Sequence, residues 1–191
     1  MKDILTQIIK TRTLKDAAIS FTGTFVNGLL GLAFYILMAR NLGPLNFGIF
    51  SVAVATLTLI TDISDIGTDT GLVRFVGKYL NSDRLKALRF LKLGLKVKLA
   101  AWLVVLVLGW LLAPFVSTNI LAKGELLLPI RLALVGVGGA LLFSFATHAV
   151  QATQRFWVWS GLNVGGNLIR LLGVIILISL MQLNLISGIV V

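Results

Sequence analysis

One arginine interrupts an apolar stretch near the carboxy-terminal end of the chain, where a charged side chain is energetically costly. Arg170 lies close to the middle of residues 156–181, and a mid-membrane arginine costs roughly 2.5–3.5 kcal/mol on insertion scales. Asn163 and Asn167 precede it at spacings of four and three residues and so share its helical face. The pattern predicts a cationic, polar site inside a helical bundle. A structural ion pair or a snorkelling side chain is the alternative.

Two further stripes of polar or small residues recur at spacings of three and four. The second stripe ends in Asp62 and Asp65, which predicts a site for cation or proton coupling, with interfacial carboxylates beside a basic segment as the alternative. The first stripe contains Asn27, which we expect to line a polar cavity. Helix-to-helix packing explains the same stripe as well.

The sequence contains little that indicates a metal site or an enzymatic active site. There is no cysteine and one histidine, His148, which makes a poor metal site. We expect His148 to be interfacial or hydrogen-bonded, with a proton relay as the alternative. Asp62, Asp65 and Asp69 superficially resemble the acidic cluster of CDP-alcohol phosphatidyltransferases, but the accompanying Asp-Gly and Ala-Arg pattern is missing. We therefore expect no catalytic residue, no metal, no cofactor and no enzymatic activity.

The composition defines the class of protein. Hydrophobic residues make up 58% of the chain and charged residues 13%, and the mean hydropathy is +0.99. This is the composition of an integral membrane protein. The net charge of +10 comes from basic residues set between apolar runs, which favours contact with anionic membrane lipids and not nucleic acid.

The apolar runs predict an all-α, polytopic transmembrane bundle in a single domain. Five helices are complete and a sixth only begins, at about 17–39, 45–67, 86–113, 129–153, 156–181 and 185–191. Gly43-Pro44 looks like a turn, and 99–122 lacks a polar stripe and should face lipid. A basic segment at about 68–92 holds a possible short helix and an Asn81-Ser82-Asp83 cap. By the positive-inside rule this segment and the amino terminus are cytoplasmic.

Three segments resemble a known family. They are ARNLGPLNFGIFSVA (39–53), DISDIGTDTGLVRFVGKYL (62–80) and QATQRFWVWSGLNVGGNLIRLLGVIILI (151–178). They are similar, in order and spacing, to the amino-terminal half of the polysaccharide biosynthesis proteins or oligosaccharide flippases of the multidrug/oligosaccharidyl-lipid/polysaccharide exporter superfamily. With the spans between them they cover nearly the whole chain.

The resemblance implies a flippase of the inner (plasma) membrane that carries oligosaccharide linked to undecaprenyl diphosphate by alternating access. It implies that the chain is the amino-terminal lobe of a two-lobe protein, a fragment whose partners are the missing carboxy-terminal lobe or other polysaccharide assembly proteins. It assigns diphosphate contact to Arg170, and also to Arg40 and Arg74 in matching segments. A multidrug exporter of the same superfamily and a non-transporting scaffold subunit are the alternatives.

Overall fold

A computed structural model describes residues 12–180 and 182–190, and these residues form an all-α bundle, as the sequence predicts. Residues 181 and 191, at the predicted ends of the fifth and sixth helices, lie outside the described residues. The helices are α1 (Arg12–Asp65), α2 (Thr68–Tyr79), α3 (Arg84–Phe115), α4 (Leu127–Ala152), α5 (Phe156–Ser179) and α6 (Leu185–Val190). A π-helical turn (Val116–Ile120) and a 3-10 turn (Gly124–Leu126) connect α3 to α4.

Helix α1 is a hairpin of two limbs. Gly43 has φ 72° and ψ 170°, a conformation that glycine adopts and other residues avoid, and Pro44 follows it. In a straight helix Phe34 and Phe50 would lie about 24 Å apart along the axis, yet their ring centroids are 6.2 Å apart. The chain therefore reverses at Gly43, which separates a first limb (residues 12–42) from a second limb (residues 44–65).

The basic segment between the second limb and the next span is mostly helical. Helix α2 buries Leu72 and Val76, and α3 begins five residues after α2 ends, at Arg84. The carboxylate of Asp83 accepts a hydrogen bond of 3.0 Å from the backbone N–H of Lys86 and so caps α3. This hydrogen bond lowers the pKa of Asp83 from its usual value. The expected basic connection at 68–92 thus contains α2 and the first turns of α3.

Four helices in the described part of the chain are long and apolar enough to cross a membrane: residues 14–65, 84–120, 124–152 and 156–179. Because α1 folds back at Gly43, these four helices comprise five separate helical segments. The chain is a multi-pass membrane protein. Helix α6 has six residues and packs with Leu185 and Ile189 against the core formed by both limbs of α1 and α5.

Helix α4 lies at the centre of the bundle. It carries nine buried residues and contacts α1, α3 and α5. A Cβ atom on Gly138 of α4 would lie 2.3 Å from Cε2 of Trp102 on α3, so glycine permits the two helices to approach closely. Helix α3 buries only Ala87, Lys98 and Ala113. Most of α3 is exposed, as its lack of a polar stripe predicts, and the buried lysine is the exception.

Candidate functional site

A cavity of about 570 Å³ lies among both limbs of α1, α4, α5 and α6. Helix α5 contributes Asn163, Asn167 and Arg170 to its lining, and the second limb contributes Thr58. The helical spacing of these three α5 residues thus places them on one face that looks into a shared space. Small residues of α4, Gly136 and Gly139 among them, line the opposite wall. The volume is within the usual range for small-ligand sites, about 300–1,000 Å³.

The guanidinium of Arg170 lies against an aromatic side chain of the first limb. Its Cζ is 4.0 Å from the centroid of the buried Phe34 ring, and Tyr35, the next residue, lines the same cavity. A guanidinium has five N–H donors in a planar fork, so this contact leaves donors for an anion. No carboxylate lines the cavity within the part of the chain that the structure describes. The cavity is therefore cationic.

The asparagines join α5 to its neighbours. Nδ2 of Asn167 donates a hydrogen bond of 2.6 Å to Oδ1 of Asn27 on the first limb. Nδ2 of Asn163 donates to the backbone carbonyl of Trp159, one turn earlier, at 2.9 Å. Asn27 is thus tied to the cavity wall through Asn167, and it does not itself line the cavity. The Asn27–Asn167 hydrogen bond fixes the rotation of α5 against α1.

Three of the predicted site residues lie outside this cavity and also make none of the contacts that tie Asn27 to its wall or Asp65 to the ionic cluster described below. Arg40 is exposed near the Gly43 turn, and Arg74 is exposed on α2, where its Cζ lies 6.0 Å from the Phe75 ring centroid. Asp62 is exposed on the second limb. Neither of the two arginines joins Arg170, and Asp62 does not join the ion pairs that Asp65 makes.

Asp65 belongs to a buried ionic cluster formed where four helices meet. The Lys98 side chain is 1% exposed, and its Nζ lies 2.6 Å from Oδ1 of Asp69 and 3.0 Å from Oδ1 of Asp65. The same Nζ donates to Oγ of Ser144 at 3.2 Å. Asp65 ends α1, Asp69 is in the first turn of α2, Lys98 is on α3 and Ser144 is on α4. The ion pairs therefore connect four helices.

His148 completes what we call the Lys98 cluster (Asp65, Asp69, Lys98, Ser144 and His148). Its Nδ1 lies 3.3 Å from Oδ2 of Asp69 and 2.8 Å from the Ser144 carbonyl oxygen. The Ser144 hydroxyl donates to Asp69. His148 is hydrogen-bonded, as the sequence predicts. Two carboxylates and one ammonium leave the cluster with a charge of −1 when the imidazole is neutral, so one more proton makes it neutral.

Lys98 is the residue that sequence reasoning missed, because it lies just beyond the basic segment at 68–92 and looks like one more of its cations. The signal was present in the periodicity of α3. Ala87, Leu91, Gly94 and Lys98 follow at spacings of four, three and four and share one buried or half-buried face, whereas Arg89, Lys92 and Lys96 are exposed. A lysine on the apolar face of a helix requires a buried partner, and Asp65 and Asp69 precede it in the sequence.

Fold and cavity together define a multi-pass, all-helical membrane protein with a cationic internal cavity. The model of the family described as "Polysaccharide biosynthesis protein" matches residues 13–191. The chain belongs to this polysaccharide biosynthesis protein family, which confirms the resemblance seen in the three sequence segments. The search among curated proteins and the search among solved structures returned no match.

Proposed function

We propose that this protein moves a lipid-linked oligosaccharide, carried on undecaprenyl diphosphate, across the membrane as part of a polysaccharide export system. The observation that carries the proposal is the internal cavity with Arg170 in its wall. Membership of the polysaccharide biosynthesis family supports the substrate class. The proposal includes no chemical conversion and no cofactor, because translocation needs binding and release only.

The chemistry of the cavity suits the headgroup of such a substrate. A diphosphate needs positive charge and N–H donors in a partly dehydrated site, and an arginine offers a fork that matches two phosphate oxygens. Asn163, Asn167 and Thr58 supply polar groups for sugar hydroxyls. A cavity of about 570 Å³ has room for part of a headgroup, and the polyprenyl tail can stay in the bilayer.

The lining favours an anionic substrate over the alternatives. An exporter of cationic drugs needs carboxylates in its cavity, and no carboxylate of the described residues lines this one. Asp65 and Asp69 are paired with Lys98 outside it. A scaffold subunit needs no charged cavity at all. We assign Arg170 the main contact with the diphosphate. In this proposal Arg40 and Arg74 contact the headgroup only at other stages of its passage.

We further propose that ion coupling involves Asp65 and not the exposed Asp62. Asp65 shares Lys98 with Asp69, and the cluster as a whole lacks one positive charge. Buried ionisable groups in membrane proteins commonly mark proton or ion paths. Uptake of a proton by the Asp65 carboxylate would neutralise the cluster and weaken the attraction that holds the α1–α2 turn to Lys98 of α3. In cells, Asp65→Asn is expected to reduce export and Asp62→Asn to leave it unchanged.

The proposed location is the inner (plasma) membrane with the amino terminus in the cytoplasm. Exposed basic residues gather on α2 and the first turns of α3, namely Arg74, Lys78, Arg84, Lys86, Arg89 and Lys92. Positive charge of this density is retained on the cytoplasmic side. A carboxy-terminal lobe or other polysaccharide assembly proteins are the proposed partners.

The experiment that tests the proposal replaces Arg170 in cells that depend on this gene for surface polysaccharide. Arg170→Ala should reduce surface polysaccharide at least ten-fold at normal membrane abundance, because hydrogen bonds to charged groups are worth roughly 1.5–3 kcal/mol each. Arg170→Lys should keep part of the activity, since the charge survives without the fork. Arg155→Ala, an exposed arginine at the α4–α5 turn, is the matched control. Normal export by Arg170→Ala would contradict the proposal.

A further inference from the structure

Three aromatic rings form a stacked surface on α2 and α3. The Phe75 and Phe90 ring centroids are 5.0 Å apart at an interplanar angle of 12°, and those of Tyr79 and Phe90 are 5.7 Å apart at 8°. We call these three residues the aromatic platform. Phe75 and Tyr79 are one turn apart on α2, and Phe90 is on α3. The nearly parallel rings fix the short helix α2 against the start of α3.

Three cationic side chains surround the platform. Nζ of Lys78 lies 5.4 Å from the Tyr79 ring centroid and Nζ of Lys86 lies 5.7 Å from the same centroid. Arg74 is similarly placed beside Phe75, with Cζ at 6.0 Å. All three cations are exposed, and contacts of this kind restrain otherwise flexible side chains. Two ammonium groups, one from each helix, are thereby held over one ring.

The charges around the platform are nearly all positive. Asp83 is the one carboxylate paired with these cations in the described residues, at 3.4 Å from Nζ of Lys86. This leaves a net charge of +2 among Arg74, Lys78, Lys86 and Asp83. Large exposed apolar residues lie next to these cations in sequence: Leu85, on the same turn of α3 as Lys86, is 70% exposed, and Phe75 is 41% exposed. Aliphatic and aromatic groups beside cations are typical of surfaces that lie at a bilayer interface.

We propose that the aromatic platform and its cations bind the phosphate headgroup of an anionic phospholipid in the adjacent leaflet. Lys78 and Lys86 contact the phosphate, and the rings lie at headgroup depth. Charge complementarity selects an anionic lipid. The restrained ammonium groups make this a defined site, because less side-chain freedom is lost on binding. The inference is independent of the proposed transport function and of the direction of the chain in the membrane.

Binding of added lipid to the purified chain tests the inference. The chain is stripped of lipid in a mild detergent and titrated with phosphatidylglycerol or phosphatidylcholine, and the bound lipids are counted by native mass spectrometry. Phosphatidylglycerol should bind more tightly. Lys78→Gln with Lys86→Gln should weaken its binding roughly 10- to 25-fold, since each juxtamembrane cation contributes about a factor of five. Binding of phosphatidylcholine should not change.

A matched double variant separates a defined site from diffuse attraction. Lys92→Gln with Lys96→Gln removes the same charge from exposed positions on the same helix, and it should weaken phosphatidylglycerol binding less than about three-fold. Tyr79→Leu keeps every charge and removes the shared ring, and it should weaken binding several-fold. The proposal would be overturned if the two double variants lost phosphatidylglycerol affinity equally or if Tyr79→Leu left that affinity unchanged. Displacement of the lipid by millimolar inorganic phosphate would also overturn it.

Discussion

Lys98 differs from the other lysines of α3 in what surrounds its ammonium group. Two carboxylates and a hydroxyl lie within 3.2 Å of Nζ, and the side chain is 1% exposed. Removing one partner from a buried ion pair leaves the other charges uncompensated and destabilises proteins by about 3–5 kcal/mol. The Lys98 cluster is therefore held together by a single cation.

Replacement of Lys98 tests this arrangement. Lys98→Met keeps an unbranched apolar stem but leaves Asp65 and Asp69 facing each other, so we expect a loss of about 3–5 kcal/mol and a clearly lower melting temperature in detergent. Lys96→Met, on the exposed face two residues earlier, should change the melting temperature little. Adding Asp69→Asn to Lys98→Met should recover part of the loss. Equal melting temperatures for the two lysine variants would contradict the burial of Lys98.

Residues that share a face of one helix could be predicted from the sequence, whereas side-chain contacts between different helices could not. Asn163, Asn167 and Arg170 share a face because of their spacing alone, so their common exposure to a cavity was predictable. Lys98 and Ser144 are 46 residues apart. Nothing local specifies that contact, and the positive-inside rule counts charges without regard to burial, so it does not distinguish Lys98 from the exposed basic residues before it.

At the scale of elements, glycine decides how closely the helices pack. Gly138 and Gly139 are neighbours on α4 with opposite surroundings. A Cβ atom on Gly138 would meet the Trp102 ring at 2.3 Å, whereas one on Gly139 would meet nothing within 4 Å. The sequence shows two adjacent glycines in an apolar run, and only the packing of α3 against α4 distinguishes them.

These two glycines provide a matched pair of substitutions. Gly138→Ala forces Trp102 or the α3 backbone to move, and we expect a destabilisation of about 1–3 kcal/mol, the usual effect of overpacking. Gly139→Ala should be neutral or stabilising by up to about 1 kcal/mol, because alanine favours the helix. Thermal unfolding of the two variants in the same detergent makes the comparison. A Gly138→Ala variant as stable as Gly139→Ala would show that α3 and α4 are further apart than described.

At the scale of the whole molecule, the hairpin at Gly43 sets the number of crossings. The two limbs of α1 return the chain to the side on which it begins, so α2 and the start of α3 lie on that side and the α3–α4 connection lies on the other. The apolar segments and the reversal between the limbs of α1 could be predicted because apolar run length and the Gly43-Pro44 turn are local signals. The placement of α2 against α3 and α4 was not, since it depends on Leu72 and Val76 meeting Ala87 and Ala152.

Cysteine labelling tests the orientation that we propose. The native chain has no cysteine, so Ser82→Cys and Lys123→Cys each introduce a single exposed thiol, on opposite sides of the membrane. In intact cells an impermeant maleimide should label Lys123→Cys, and it should label Ser82→Cys only after permeabilisation, because the basic segment stays in the cytoplasm. The reverse pattern would invert the orientation, and labelling of both in intact cells would contradict the hairpin.

The central claim is that the cavity beside Arg170 binds the diphosphate headgroup, and photocrosslinking tests it most directly. Undecaprenyl diphosphate with a diazirine near the headgroup is added to the chain in nanodiscs, irradiated, and the attachment sites are mapped. We predict attachment to cavity residues of α1, α4 and α5. The crosslinking yield should fall at least ten-fold in Arg170→Ala and stay unchanged in Arg155→Ala. Attachment confined to helices outside the cavity, or equal yields from the two arginine variants, would contradict it.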